Sequence, residues 1–525
     1  MGRLILVFCV IAISGIGAGA TAGQGLAASS CVGSGAHCFT TLQAAVDAAH
    51  DGDVIRISRG TFGGGVTIDK DLKLIGAGAA ATVISGGAPV LTIGEADATV
   101  EPTVTIRGVT ITGGLNTSNP EPFFVTGGGI DVPASADGIG ATVTIDESRI
   151  TGNRAAPEST TPSPSGVLCG GGTFCPAAQG EGGGIYNAGT MALNNVTVSN
   201  NEAGSSVASD ADAGGISNQP QATLELHNSV VSGNVARAPA PNGRFAEGGG
   251  IFSRRNSTLT IDDSVVSGNQ AELVVTQDVL SGDTLAQSGG IRIGSGVAAT
   301  IRNSRISGNT VSAVNFLGDS LAFAGGIDDD GSLVLRDSTV ASNEVRGTSG
   351  DSVFLDSGAL EIEGAAAIRN TRFTDNSVSA TATAGMALSQ AGAIAAVTPE
   401  LVTISDSVIS GNSVASATTT GSAVVQGGGI QNGGALELGN TRIADNTGIA
   451  TGPGGLAQGG GIWNGQLFDE IPNPQLTLRD TMVIRNTLSG STGIDLHGGG
   501  MFTSFLVTLK NSLITDNAPD QCYGC

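Results

Sequence analysis

Three adjacent carboxylates, Asp328-Asp329-Asp330, form the densest group of hard oxygen ligands in the chain, and calcium is the ion such oxygens suit. Consecutive strand residues point to opposite faces, so the three converge on one ion only if a turn bends them together; a solvated turn is the competing reading. Arg292 occupies in the preceding unit the position that Asp328 occupies in its own. A basic group beside calcium-binding carboxylates is an arrangement for abstracting a proton, which makes this pair the best local candidate for catalysis. Both belong to a longer series: Asp131, Tyr186, Ser217, Phe252, Arg292, Asp328, Glu361, Ala395, Gln431, Trp463 and Phe502. The series mixes acids with aromatic residues and holds the single Trp of the chain. Displayed on a surface, it could take a sugar or a protein partner, because aromatic faces stack on sugar rings or anchor interfaces while acids accept hydrogen bonds from hydroxyls. An ordinary exposed strand is the plain alternative.

Each residue of that series follows a Gly-Gly-aliphatic step, in which Ala sometimes replaces one Gly. The steps end at Ile130, Ile185, Ile216, Ile251, Ile291, Ile327, Leu360, Ile394, Ile430, Ile462 and Met501. Between them run Leu-x-Ile strands that close on Asn153, Asn201, Asn234, Asn269, Asn309, Asn343, Asn376, Asn412, Asn446, Asn486 and Asn517. A recurring unit of roughly 30–40 residues means a repeat architecture. Within a unit, as in Val402-Thr403-Ile404-Ser405-Asp406-Ser407-Val408-Ile409, apolar residues alternate in short runs separated by an Asx-Ser turn, and nothing has helical spacing. Units of two or three short strands bury a core only by stacking, which a parallel β-helix does. About 12–14 coils spaced about 4.8 Å apart make a rod on the order of 60–65 Å long.

Stacking aligns Val143, Leu224, Leu259, Leu333, Leu436 and Leu476 on one inward line, and Ile145, Leu226, Ile261, Leu335, Leu438 and Leu478 on the next. The closing Asn residues form a turn ladder in which each amide bonds backbone and the next Asn, with Asn suited to left-handed turn geometry. The Gly pairs permit a sharp bend at positive φ or a close approach of neighbouring chain. The residue after each step alternates outward from a buried aliphatic, so the series above becomes an outward column and the floor of a groove. Loops between each Asn and the next Gly pair alternate apolar residues themselves, as in Ser413-Val414-Ala415-Ser416-Ala417, and could stack as extra strands forming a wall of that groove. Leu42, Val46 and Ala49 share one face of a short helix N-capped by Thr41, which would cover the first coil.

The segments Thr41-Leu42-Gln43-Ala44-Ala45-Val46, Asp51-Gly52-Asp53-Val54-Ile55-Arg56-Ile57, Val66-Thr67-Ile68 and Leu72-Lys73-Leu74-Ile75-Gly76 resemble the start of right-handed parallel β-helix proteins of the pectin-lyase-like class. The repeats are similar to those of bacterial secreted and surface β-helix proteins, including the polymorphic outer-membrane proteins. Here the position before Asn is reached from Val or Ile rather than Phe. The resemblance covers about residues 38 to 525 and implies the fold and export. It also brings in polysaccharide lyases and hydrolases, although fold alone does not carry function. Polygalacturonase-like sites combine Asn-x-Asp, paired Asp, Gly-His-Gly and Arg-x-Lys. In this chain Asp262-Asp263 falls in a repeat turn, His497-Gly498 lacks the preceding Gly, and Arg-x-Lys is missing.

A net charge of −23 makes nucleic acid or anionic lipid an unfavourable partner. Arg3 followed by an apolar stretch, Leu4 to Ile16, and then by small residues reads as a leader peptide over residues 1–28, and no segment has the length and apolarity of a membrane-spanning helix. The pairs Cys31/Cys38, Cys169/Cys175 and Cys522/Cys525 read as local disulfides of an exported protein. The expectation is an all-β, right-handed parallel β-helix over residues 29–525: a cap at 38–50, first coils at 51–115, Gly-Gly-Ile/Asn repeats at 116–517 and a tail at 518–525. Function is expected to be adhesion or scaffolding at a cell surface, binding an extracellular glycan or protein through Asp131, Tyr186, Phe252, Arg292, Asp328, Glu361, Gln431, Trp463 and Phe502, with no cofactor unless Asp328, Asp329 and Asp330 hold calcium. The alternative is a lyase or hydrolase acting on acidic polysaccharide.

Overall fold

A computed structural model of the chain describes residues 28–96, 98–117, 124–136, 138–157, 168–169, 173–174, 179–204, 210–239, 245–275, 284–316, 318–466 and 473–525. The leader reading, save for Ala28, and the pairing of Cys169 with Cys175 lie outside the described residues. The chain is a right-handed parallel β-helix whose strands form five parallel sheets of 15, 14, 14, 11 and 11 members.

One coil shows why. Ser332–Arg336 alternates, with Leu333 and Leu335 turned inward, and Thr339–Ala341 turns Val340 inward. After Asn343 the chain leaves the core as Glu344–Ser349 and returns as Val353–Asp356, forming an arm. Beyond Gly358-Ala359, Leu360–Ile362 closes the coil. Leu335 stands level with Ile301 and Ile368 in the neighbouring coils, and the two aliphatic lines read from the sequence are in register. Each fully buried aliphatic contributes roughly 1.5–3 kcal/mol relative to exposure, repeated coil after coil through one continuous core from Val32 to Met501.

The arms have a core of their own. Small residues such as Ala271, Ala286, Ala313 and Ala322, with Val345, Val353 and Leu355, interdigitate between outgoing and returning strands. The alternation visible in the loops is therefore a second two-sheet layer beside the main helix, running from Leu115–Asn116 to Ile494–His497.

The closing Asn residues form the expected ladder. Asn343 Nδ2 donates to Ile306 O at 3.2 Å and to Asn376 Oδ1 at 3.0 Å, and Asn309 Nδ2 donates to Asn343 Oδ1 at 2.9 Å. The same links recur from Asn153 to Asn517. The left-handed residue is not the ladder Asn, contrary to the sequence expectation, but its predecessor, for example Gly308 (φ 64), Ser342 (φ 56) or Asp375 (φ 58). The Gly pairs are set by close approach: a Cβ on Gly325 would lie 2.5 Å from the carbonyl oxygen of Gly358 in the next coil.

Helix α1, Leu42–Ala48, covers the first coil with Leu42, Ala45 and Val46, and the Thr41 hydroxyl accepts the Ala44 N–H at 3.3 Å. Cys31 is bridged to Cys38 and Cys522 to Cys525. Among the described residues no helix is long and apolar enough to cross a membrane.

Candidate functional site

The bend at each Gly pair brings the last residue of a returning arm strand over the outward residue of the strand that closes the coil, five positions later in sequence. The two rows face each other along the rod: Glu181, Asp212, Glu247, Asp356, Gln426 and Gln458 belong to one, and Tyr186, Ser217, Phe252, Glu361, Gln431 and Trp463 to the other. Strand register places Asp131, Tyr186, Ser217, Phe252, Arg292, Asp328 and Glu361 on consecutive coils, as the repeat predicted. The expectation that this column is an exposed floor is corrected. The arms roof it, leaving Asp131 9%, Phe252 8%, Asp328 1%, Glu361 6%, Gln431 0%, Trp463 5% and Phe502 9% accessible.

Under the roof, carboxyls are ion-paired, or burial raises their hold on a proton, or both. Arg254 bridges Glu181 and Asp212 and lies 4.5 Å from the centre of the Phe252 ring. Arg292 binds Asp328 and reaches Asp330 at 2.8 Å. A guanidinium locked between two carboxylates is positively charged and holds no free lone pair, so Arg292 is not a proton-abstracting base. Nor do the three aspartates converge. Asp328 and Asp330 face Arg292, whereas Asp329 points to the other side of the strand and accepts the Gly331 N–H at 3.1 Å.

Burial pushes several carboxyls upward. Glu181 rises to about 7, Arg254 opposing the rise, and Glu247 also rises to about 7. Asp356 reaches about 7 and Glu361 goes well above the usual carboxylate range, driven first by burial and then by the charge of Asp356. At the C-terminal end the aromatics stack on each other rather than on solvent: Trp463 on Phe502 with centroids 6.5 Å apart, and Phe502 on Tyr523 at 5.5 Å. Trp463 Nε1 donates to Gln458 Oε1 at 3.1 Å. Trp463 and Phe502 are internal packing.

The cleft opens at its N-terminal end. The first coils lack arms, so the column continues there unroofed as Thr67 and Thr92, each one coil apart in register with Asp131. A pocket of about 510 Å³ lies where the first arm begins. Asp131, Tyr186, Thr92, Thr67, Asn116 and Thr126 supply its polar groups, Phe124 and Pro89 its apolar faces, and Glu95 stands at its edge. None of the described lining residues is Lys or Arg.

Two buried oxygens in this pocket have no hydrogen-bond partner, Asp131 Oδ1 and Asn116 Oδ1. The Asn116 amide is fixed by donation to Thr126 O at 2.6 Å, and the Thr126 side chain bonds Asp131. Burial lifts the Asp131 carboxyl to about 7, partly offset by Thr126. Tyr186, half-buried beside it, has its phenol pushed up by burial and by the nearby Glu181 and Asp131 carboxyls, and remains protonated at neutral pH.

Of the expected site residues, Asp131 and Tyr186 therefore meet in an open pocket. Phe252, Arg292, Asp328, Glu361, Gln431, Trp463 and Phe502 line the roofed interior. Sequence reasoning did not find Asn116, Thr92 or the facing row of Glu181, Asp212, Glu247 and Asp356. The facing row had a signal, a polar residue recurring just before the Gly-Gly step. Asn116 had none, because its role depends on where the first arm starts.

No protein-family model and no curated protein matches the chain. Among solved structures, the A-module of the mannuronan C-5 epimerase AlgE6 from Azotobacter vinelandii is similar at 15% identity, with 91% of this chain and 94% of that chain covered and a TM-score of 0.22.

Proposed function

We propose that the protein is an exported β-helix, its leader at residues 1–28 and its β-helix domain at 29–525, that acts without catalysis as a glycan-binding scaffold through the pocket at the mouth of the arm cleft. The observation that carries this reading is the pocket itself. In about 510 Å³ it combines a carboxyl, an amide, a phenol and threonine hydroxyls with the apolar faces of Phe124 and Pro89. Few placed polar groups among apolar walls is the usual make-up of a small-ligand site, and hydroxyl-rich sugars match both components. Thr67, Thr92, Asp131 and Tyr186 extend this surface across four coils, a floor about 14 Å long at about 4.8 Å per step. The leader-like N-terminus and the two bridged cysteine pairs support export.

One observation favours a catalytic alternative: a carboxyl held near neutrality in a pocket is suited to proton donation, as a glycoside hydrolase requires. A glycan array on the mature protein, followed by product analysis on each ligand bound, separates the two. Saturable binding without product is expected, and Thr92→Trp, which fills the half-exposed floor, should abolish it while the rod stays folded. Binding indifferent to Thr92→Trp refutes the site; stoichiometry-exceeding product release that Asp131→Asn removes establishes the hydrolytic alternative.

A further inference from the structure

The chemistry missing from the pocket is specific. Asp131 Oδ1 and Asn116 Oδ1 are both acceptors, both buried and both without a donor, and both are tied to the same residue, Thr126. Both oxygens are closed to solvent in the unliganded chain, and a buried acceptor left unmade is costly, so the fitting ligand is one whose donors draw these side chains toward the pocket. The lining adds a second carboxyl, Glu95, at the edge, and the neighbouring coil places Glu181 beyond Tyr186, while no Lys or Arg occurs among the described lining residues. Arg254, farther along the cleft, is bound to Glu181 and Asp212. The ionisable groups lining the pocket are therefore acids and a phenol, and a uronate carboxylate would find no counter-charge there.

An alkylammonium is the group that donates three hydrogen bonds and accepts none. A sugar hydroxyl donates one, and an acetamide adds an acceptor that the site does not need. Resting on the glycan reading above, we propose that the pocket selects an amino sugar with a free amine, its ammonium held by the carboxyl of Asp131 and the amide oxygen of Asn116. Tyr186, Phe124 and Pro89 then bound the ring, and Thr92 and Thr67 accept the next unit of the chain along the floor. The same ammonium chemistry could come from a lysine side chain, so the test carries both sources.

The experiment is calorimetric titration of the full-length mature protein at about 150 mM salt, where long-range attraction to an acidic rod is screened. Four ligands are compared: a glucosamine trimer, the N-acetylglucosamine trimer, a galacturonate trimer and a trilysine peptide. The glucosamine trimer is expected to bind at least tenfold more tightly than its acetylated form, and Asp131→Asn, which keeps shape and removes charge, should erase that ratio. A second variant, Thr92→Arg, places a cation on the half-exposed floor outside the packed interior; it should reverse the preference toward galacturonate. Equal affinity for the two glucosamine forms overturns the amine selection while leaving the glycan reading in place. Preference for galacturonate in the wild type, or no glycan binding, overturns both. Trilysine binding as tightly as the glucosamine trimer, with the same sensitivity to Asp131→Asn, refutes the sugar assignment, and amine binding insensitive to both variants refutes the site.

Discussion

Asp131 should make the unliganded protein less stable as pH rises, and removing its charge should reverse this. Burial lifts its carboxyl from 3.8 to about 7, the Thr126 side chain opposing the rise, with Tyr186 neutral and Glu181 and Arg254 paired nearby. Between pH 4 and pH 7 the folded state then binds a proton that the unfolded state has released. The contribution to stability is whole below about pH 4 and is lost as pH rises through 7. A shift of about 3 units corresponds to at most about 4 kcal/mol; an open pocket mouth admits water and reduces this to roughly 2 kcal/mol. Asp131→Asn carries no charge at any of these pH values. It should match the wild type at pH 4.5 and exceed it by about 2 kcal/mol at pH 8. Because a long repeat rod need not unfold in one step, the measurement is local opening: hydrogen exchange of peptides spanning 124–145, corrected for intrinsic rate, at pH 5 and pH 8. Equal protection of variant and wild type at pH 8, or a variant less protected at pH 8 than at pH 5, would falsify the claim that this carboxyl is desolvated beyond what its one bond to Thr126 offsets.

Three further outcomes are expected. Asn343→Ala deletes the side-chain bonds to Ile306 O and Asn376 Oδ1 and strands the Asn309 amide, so two or three buried groups lose partners; unfolding should cost about 3–5 kcal/mol less in denaturant titration, and an unchanged midpoint would remove the ladder from the list of stabilising features. Trp463→Ala loses a buried ring, its stacking on Phe502 and its bond to Gln458, so it should destabilise the C-terminal coils by about 3–5 kcal/mol without changing ligand affinity; a binding defect in a stable variant would return Trp463 to the recognition surface. Thiol titration of the denatured, unreduced mature protein should find no free cysteine, and any free thiol would break the local pairing scheme of Cys31/Cys38, Cys169/Cys175 and Cys522/Cys525.

The main helix was readable because period 2 within strands and a unit length near 35 residues both report on stacking. Leu335 lies level with Ile368, and Asn343 bonds Asn376, as the aligned repeats require. The arms were half readable. Their alternation suggested strands, as at Ser413–Thr418, but sequence alternation does not say on which side a strand packs. The arms fold back over the outward column because each returning strand ends one Gly pair away from it, and that bend is a backbone property, set by residues such as Ala324 and Ser357 at positive φ, which no residue type announced. Hence Trp463 was expected on the surface and lies beneath Gln458. Asp131 differs from Trp463 only in its coil: its own arm is the first, and there is no earlier arm to roof it from the N-terminal side.

On the proposed function, that positional difference decides where recognition occurs. A solenoid gains stability from each interface between neighbours, so a long rod tolerates a line of poorly solvated carboxyls in its cleft that a smaller domain would not. Once roofed, four of these groups pair with guanidinium groups: Glu181 and Asp212 with Arg254, Asp328 and Asp330 with Arg292. Unmatched acceptors remain under the roof as well, at Glu361 Oε2 and Gln431 Oε1, but those of Asp131 and, on the first outgoing arm strand, Asn116 belong to residues that line the open pocket. The absence of arms from the coils carrying Thr67 and Thr92 is thus the feature that opens a packing column into a pocket. Grafting an arm onto the coil of Thr92, between Gly87 and Ala88, would extend the roof by one coil, close the pocket and leave every proposed contact residue in place. Ligand binding should then disappear with no residue of the site changed, which an explanation based on residue identity alone does not produce.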